Sequence, residues 1–152
     1  MKAFVRTMLV VFVTSYLLTG CVKNIGLAND PIVGQWVLTD AAKGNNYGWQ
    51  PLYTGLENGV FTFYANGSVG YDDGHYTYQG NWAVTTSSTG YYDYYGNYFT
   101  DYHDALQVRL REYSTNSTIN LYFDDMNFNN GNYFTATYYN NNSIERYGFS
   151  RY

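Results

Sequence analysis

The sequence is poor in the residues that mark several protein classes. Its 152 residues include one cysteine and two prolines, and only 13% of them are charged. A single cysteine cannot form an internal disulfide, so a disulfide-stapled miniprotein is excluded. The low charge content and the 21% aromatic content exclude a disordered polyelectrolyte and a coiled coil. The length allows one domain with its own core and leaves no room for a second, catalytic one.

Motifs of enzymatic chemistry are also missing. The chain has no Gly-x-Ser-x-Gly, no His-Glu-x-x-His and no phosphate-binding loop. Of its two histidines, His75 follows two aspartates at an expected turn, and His103 lies between Asp101 and Asp104 in an expected loop. Hydrolysis or metal binding needs such groups to converge in a pocket, and no spacing here supports that. We therefore predict no enzymatic activity, no metal site and no cofactor.

The first twenty residues have the pattern of a signal peptide. Lys2 and Arg6 form a basic start, and residues 8–18 form an apolar stretch of eleven residues. A helix of that length is too short to span a hydrocarbon core about 30 Å thick. The stretch runs into Leu18-Thr19-Gly20-Cys21, which resembles the lipobox of bacterial lipoproteins. The resemblance implies a signal peptide over residues 1–20 and acylation of Cys21 after cleavage.

This reading makes residues 21–31 a lipidated tether and places the protein in the cell envelope. The 132 residues that remain carry six basic and twelve acidic side chains. That balance disfavours nucleic acid and electrostatic adhesion to anionic lipid, so the acyl chains must hold the protein to the membrane. Position 22 is Val and not Asp. By resemblance to enterobacterial lipoproteins this favours the outer membrane, with the periplasmic and the external face both left open.

From residue 32 onward the hydrophobic pattern has a period of two and contains no helical stripe. In Ala105–Glu112, for example, Leu106, Val108 and Leu110 alternate with polar residues. Asn66-Gly67 between two β-rich segments predicts a tight hairpin. We predict an all-β domain over 32–152, an up-and-down antiparallel meander of about eight strands that closes into a small barrel. The predicted strands are 35–39, 60–64, 68–72, 75–85, 105–112, 118–124, 132–139 and 144–151.

Two longer connections interrupt the short turns. Residues 40–58 carry Trp49 and Tyr53, and residues 86–104 hold the aromatic cluster Tyr91, Tyr92, Tyr94 and Tyr95. Connections of this length are usually binding elements, lids or disordered spacers. The second could pack on itself or extend a hairpin, contact a ligand or partner, or be disordered. Exposed tyrosines suit sugar faces and protein surfaces equally.

Three short motifs resemble the lipocalin-like domains of bacterial lipoproteins. Gly34-Gln35-Trp36 looks like the Gly-x-Trp start of the lipocalin superfamily, and residues 60–71 followed by Gly80-Asn81-Trp82 look like the next conserved run. The resemblance implies a barrel that binds a small hydrophobic molecule. It also implies that Arg151, or else Arg146, packs over Trp36 and closes the barrel base, a cation–π contact.

Three hypotheses of function follow. The first is a lipid-anchored binder of a small hydrophobic molecule, with Trp49, Tyr53, Tyr91, Tyr92, Tyr94 and Tyr95 around the mouth of a cup. The second is an envelope interaction or scaffold lipoprotein with a filled barrel and an exposed aromatic patch. The third is a glycan-binding module, with two or three coplanar Tyr or Trp rings on one face and Asn or Asp donors and acceptors beside them. The resemblance favours the first.

Overall fold

A computed structural model describes residues 30–140 and 142–152, and these residues form an all-β fold. The predicted signal peptide, Cys21 and the tether as far as residue 29 lie outside the described residues. Ten strands make one sheet: β1 Gly34–Asn45, β2 Gly48–Pro51, β3 Val60–Phe63, β4 Ser68–Asp72, β5 Thr77–Tyr92, β6 Tyr98–Arg111, β7 Thr118–Phe123, β8 Asp125–Asn130, β9 Tyr133–Asn140 and β10 Ser143–Arg151.

The strand order is that of a meander in which the first strand pairs with the last. Along the sheet the order is β7-β6-β5-β4-β3-β1-β10-β9-β8, with β2 added beside β1. The ladders of β1 to β10 and β1 to β3 are antiparallel, as is every other pairing in the described sheet. Short turns therefore suffice as connections, and the up-and-down arrangement that we predicted is present.

Alternating hydrophobicity decides which face of each strand is buried. Leu106, Val108 and Leu110 of β6 are each at most 2% exposed. The predicted hairpin at Asn66-Gly67 is confirmed: Tyr64 N and Ser68 O close it at 2.9 Å, and Gly67 adopts a left-handed φ of 81°. Side chains that alternate along a strand point to opposite faces, so this pattern directs one face of the alternating segments into a common core.

The core is filled mainly by aromatic rings. Phe134 packs edge-on against Trp36 at 4.7 Å between ring centres and stacks on Phe149 at 4.7 Å. Phe149 also meets Phe61 at 5.9 Å and Phe123 at 6.3 Å. These contacts join β1, β3, β7, β9 and β10 through their side chains, so the interior is packed from several directions at once.

The sheet has ten strands, whereas about eight were predicted, and two additional strands account for the difference. The connection 40–58 contains β2, a short exposed strand that turns back along the end of β1. The second addition, β8, was not among the predicted strands, because three of its six residues are asparagines, which are typical of turns. Met126 is nevertheless 8% exposed, and Phe128 packs on Phe134 at 5.2 Å. A period-two pattern is present in β8, with the asparagines on its outer positions.

The two outermost strands of the sheet are consecutive in the chain. Only Asp124 separates β7, which pairs with β6, from β8, which pairs with β9. The backbone N–H of Asp124 donates to Thr137 O at 2.8 Å, and its carboxylate accepts from Tyr139 N at 2.8 Å. Asp124 therefore fixes the point at which the chain leaves one neighbour for the other. No ladder joins β7 to β8 within the described ranges.

The ladders define two ends of the sheet. We call the end at which β1 begins, four residues after Asp30, the Asp30 end; there Gly34 pairs with Phe63, and Ser68 pairs with Asn81. The Asn45 end is where Gly44 pairs with Trp49 and Ile144.

A two-stranded extension leaves the Asp30 end. The predicted connection 86–104 is mostly regular strand, because β5 and β6 stay paired as far as Tyr92 and Tyr98. The last partner of β5 on β4 is Asn81, and the last partner of β6 on β7 is Leu106. We call residues 85–105 the ribbon. Of the readings left open for this segment, the extended hairpin is the one found.

Candidate functional site

Trp49 is an exposed aromatic ring that two neighbouring residues hold in place. Its indole lies on the backbone of Gly44, its cross-strand partner, where a Cβ would come within 3.0 Å of the ring. The guanidinium of Arg146 sits over the same ring at 4.8 Å. The side chain is still 51% exposed. Contacts on Gly44 and Arg146 therefore fix the ring while leaving half of it to solvent.

Trp49 belongs to a row of residues across four strands. Gly44 pairs with Trp49 on one side and with Ile144 on the other, and Ile144 pairs with Tyr139. Directly opposed residues of antiparallel strands point to the same face. Trp49, Ile144 and Tyr139 are 51%, 39% and 53% exposed. At about 4.8 Å between strands, the row is roughly 14 Å long. We call these three residues with Gly44 the Trp49 row.

Amide groups border the Trp49 row. A groove of about 480 Å³ lies beside Trp49, and its lining includes Asn45, Asn46, Asn140, Asn142 and Ser143. These residues lie in the β1–β2 and β9–β10 turns or at the strand ends beside them, where Asn is favoured by its local hydrogen bonding. Each side-chain amide offers two N–H donors and a carbonyl acceptor. The groove thus combines an apolar floor with a neutral, hydrogen-bonding rim.

A second groove, of about 580 Å³, lies on the outer face of β3, β4 and β5. Its lining includes Gly70, Thr62, Gln79, Tyr64 and Tyr113. Gly70 stands between the buried Val69 and Tyr71, so its missing side chain would point outward. A Cβ at Gly70 would meet only Tyr78 O, at 3.7 Å. The lining of this groove contains two exposed tyrosines and no tryptophan, and Gly70 offers a way to fill the groove without disturbing the core.

The ribbon carries the other predicted site residues. Tyr91 stacks on Phe99 at 5.6 Å between ring centres, and Tyr92 meets Tyr98 at 5.1 Å on the opposite face. Tyr94 and Tyr95 lie in the turn, 96% and 85% exposed. The turn is held by Asp93, whose carboxylate accepts from the backbone N–H groups of Tyr95 at 2.9 Å and Asn97 at 2.8 Å. Hydrogen bonds from Asn97 lower the pKa of Asp93, so the carboxylate stays charged.

The structure does not gather the six predicted ligand residues around one mouth. Trp49 lies at the Asn45 end, whereas the 89% exposed Tyr53 follows Leu52, which hydrogen-bonds to Ala41 of β1, and does not line the groove beside Trp49. Tyr91, Tyr92, Tyr94 and Tyr95 belong to the ribbon at the Asp30 end. The reason is strand direction, because β1 runs toward the Asn45 end whereas β5 runs away from it.

Trp36 and Arg151 are in direct contact. Trp36 is fully buried, and its indole N–H donates to Ile32 O at 2.7 Å. The Arg151 guanidinium lies 4.3 Å from the centre of the Trp36 ring. It also donates to Val33 O at 2.8 Å and to Pro31 O at 3.0 Å. Arg146, the second choice for this position, lies over Trp49 instead.

A polar network lies between the core and the Asn45 end. Lys43 Nζ contacts Glu145 Oε1 at 2.8 Å, and Tyr147 donates its hydroxyl to Glu145 Oε2 at 3.0 Å. The hydrogen bond from Lys43 is the main cause that lowers the pKa of Glu145, while burial raises the pKa of Tyr147. Below this network, Tyr147 packs edge-on against Phe123 at 4.9 Å. The network therefore caps the aromatic core with satisfied polar groups.

The two histidines do not assemble a reactive site. His103 Nε2 lies 2.9 Å from Thr89 Oγ1 across the ribbon, and Asp104 accepts from Thr86 at 2.6 Å. Near His75, the carboxylate of Asp73 accepts from the backbone N–H of His75 at 2.8 Å. No group of three or more His, Cys, Asp or Glu residues that could hold a metal ion occurs in residues 30–140 and 142–152.

The chain was compared with family models, with curated proteins and with solved structures, and none of the three comparisons gave a match. A search of the described residues for a helix long and apolar enough to cross a membrane also found none.

Proposed function

We propose that this chain is a lipid-anchored, non-catalytic glycan-binding protein of the bacterial cell envelope. The observation that supports this most directly is the Trp49 row with its border of amides. Of the three hypotheses drawn from the sequence, the glycan-binding module is the one that requires exposed aromatic residues on one face with Asn groups beside them.

The chemistry of sugars fits such a surface. A pyranose ring has a face of C–H groups that packs on an aromatic ring, and hydroxyls around its edge that pair with amides. Trp49 supplies a ring in the groove, Tyr139 supplies a second ring on the same face outside the groove lining, and Asn45, Asn46 and Asn142 supply donors and acceptors. Because Gly44 and Arg146 already hold Trp49, little conformational entropy is lost on binding. The row is long enough to lie under more than one sugar.

The packed core favours an outer binding surface over an internal cup. Trp36, Phe61, Phe134 and Phe149 fill the middle of the fold through direct ring contacts. A small hydrophobic ligand inside the fold would have to displace these rings. Binding of such a ligand stays a prediction, and so does an interaction or scaffold role.

We also propose that the sheet closes into a barrel. We take the sheet as a lipocalin-like barrel of eight strands, with β7 and β8 as the two halves of one strand bent at Asp124 and β2 as an excursion from β1. Pairing of the first and last strands supports this, and so does the contact of Phe123 on β7 with Phe149 on β10. Arg151 over Trp36 would then close the base of the barrel.

Anchoring is the remaining part of the proposal. Acylation of Cys21 would hold the domain to the outer membrane through residues 21–31, in line with the acidic composition that disfavours electrostatic adhesion. Cys21→Ser should then move the protein from the membrane fraction to the soluble fraction. Continued membrane association of the Cys21→Ser chain would contradict the anchor.

Glycan binding can be tested on a printed oligosaccharide array, with affinities of the positive sugars then measured by calorimetry. We expect at least one oligosaccharide to bind and Trp49→Ala to weaken it about fivefold or more, taking the roughly 1–3 kcal/mol of base–aromatic stacking as a guide. Gly44→Val should have a similar effect, because its side chain would displace the indole.

The second groove provides the matched control. Gly70→Val fills the groove on β3, β4 and β5 without touching the Trp49 row, so binding should be unchanged. An array on which no sugar binds would contradict glycan binding. Loss of binding in Gly70→Val but not in Trp49→Ala would contradict the assignment of the site to the Trp49 row.

A further inference from the structure

The ribbon is the largest exposed aromatic feature that the proposed function does not use. Besides Tyr94 and Tyr95 at its tip, it exposes Tyr91, Tyr92 and Tyr98 by 55%, 72% and 59%. It carries no Lys or Arg, and three aspartates give it a negative charge. A fold that needed only to connect β5 to β6 could do so with a short turn near Trp82.

The ribbon leaves the sheet at the end from which the tether starts. Asp30 is fixed to the Asp30 end by the hydrogen bonds of its backbone O with Val33 N at 3.0 Å and of its carboxylate with Ile32 N at 3.1 Å. Along the sheet, β5 is three strands from β1, which is roughly 14 Å. The start of the tether and the ribbon are therefore at the same end of the sheet, and the Trp49 row lies at the opposite end.

The lengths of the tether and the ribbon agree. Eight residues lie between Cys21 and Asp30, which gives nine Cα-to-Cα steps, so the tether can reach about 30 Å when fully extended. From Val84 to Tyr92 the ribbon advances by eight residues, about 26 Å at the usual rise of a strand. A domain held by Cys21 thus stays close enough to the bilayer for the tip of the ribbon to touch it.

The side chains at the tip suit the boundary between lipid and water. Tyrosine has an apolar ring and a hydroxyl that stays hydrated, and it is enriched where headgroups meet acyl chains. The backbone edges of Thr85–Tyr92 and Tyr98–Ala105 have no ladder partner beyond each other in the described sheet. Such edges cannot enter the hydrocarbon core, so the contact is confined to the headgroup layer.

We propose that the tip of the ribbon, residues 91–99, rests in the headgroup layer of the membrane to which the chain is anchored and holds the Trp49 row away from that membrane. This inference depends on the acylation of Cys21, which is part of the proposed function. The occupant of the tip is a lipid surface. Because the ribbon is acidic, the contact does not require anionic lipid and is stronger on zwitterionic than on anionic vesicles.

The test compares two positions of nearly equal exposure at opposite ends of the molecule. Tyr94 is 96% exposed and Tyr47, in the β1–β2 turn, is 94% exposed. In the full chain purified with its acyl anchor, Tyr94→Cys and Tyr47→Cys each supply one thiol for an environment-sensitive fluorophore. Each labelled protein is reconstituted into vesicles of phosphatidylcholine and phosphatidylethanolamine, with and without a lipid that carries a quencher at its headgroup.

We expect the fluorophore at position 94 to shift to shorter wavelength and to be quenched, and the fluorophore at position 47 to do neither. Equal spectra at the two positions would overturn the inference while leaving the anchor intact, provided that the protein floats with the vesicles. A protein that does not float would overturn the anchor and this inference together. A shift at position 94 that grows with protein concentration in detergent alone would show self-association of the ribbon and would also overturn it.

Discussion

Aromatic residues occupy the core and the ribbon in opposite ways. In the core, Trp36 and Phe134 are fully buried, and their rings pack edge to face. In the ribbon, Tyr91 and Tyr92 pair across the strands and remain mostly exposed. Aromatic content alone therefore predicts neither burial nor a ligand cavity. An aromatic ring is buried when its strand is paired on both edges and the ring lies on the face that points toward the other strands.

The largest expected effect is in the core. Trp36→Ala removes the ring that contacts Phe134 and Arg151, and we expect it to lower the free energy of unfolding by about 3–5 kcal/mol. Urea denaturation followed by circular dichroism measures the change. Tyr71→Phe is a matched control at another buried ring, because the Tyr71 hydroxyl has no hydrogen-bond partner among the described residues. Its effect should stay within about 1 kcal/mol. An unchanged midpoint for Trp36→Ala would place that ring outside the core.

An intermediate effect is expected at the β6–β7 turn and depends on pH. The carboxylate of Glu112 accepts from Ser114 N at 2.8 Å and from Thr115 N and Oγ1 at 2.5 Å each. These bonds, with the Thr115 hydroxyl first, lower the pKa of Glu112 from 4.5 to about 2. A lowered pKa stabilises the fold above pH 4.5, and that stabilisation is lost as the pH falls from 4.5 toward 2.

Glu112→Gln should remove the pH-dependent stabilisation that the Glu112 carboxylate provides. Thermal midpoints of the two proteins, compared between pH 7 and pH 2, should converge as the pH falls. Parallel curves for Glu112 and its Gln variant would show that the carboxylate does not stabilise this turn.

The smallest effect is expected in the ribbon. The double variant Tyr94→Ser and Tyr95→Ser changes two rings that are almost wholly exposed, so the free energy of unfolding should change by no more than about 0.5 kcal/mol. The same denaturation experiment checks this. A loss comparable to that of Trp36→Ala would mean that the tip packs against the body of the protein, and the contrast between core and ribbon would fail.

The sequence predicted those parts of the fold that local patterns determine. The alternation in β6 and β7 and the turn at Asn66-Gly67 were sufficient to place five neighbouring strands in order. The switch at Asp124 could not be predicted, because Asp124 continues the alternating pattern of β7 and only its hydrogen bonds with β9 show the change of partner. The asparagines of β8 hid a strand whose inner positions are Met126 and Phe128.

The candidate site was less predictable than the fold. Trp49 was singled out for its place in a long connection, but Gly44, Ile144 and Tyr139 gave no local signal. Their position beside Trp49 follows from the registers of three ladders, which a single sequence does not define. Tyr53 and the ribbon residues were grouped with Trp49 because both connections are aromatic. The direction of β5 separates the ribbon residues from Trp49.

An NMR titration of the three tryptophan indole N–H signals with an array-positive oligosaccharide would test directly whether sugar binds on the outer surface at Trp49. The N–H groups of Trp36 and Trp82 are held by Ile32 O and Tyr64 O, at 2.7 and 3.0 Å, and serve as internal references. We predict that the Trp49 signal moves with added sugar while the other two stay in place. A shift at Trp36 with none at Trp49 would place the ligand within the core and contradict binding on the outer surface.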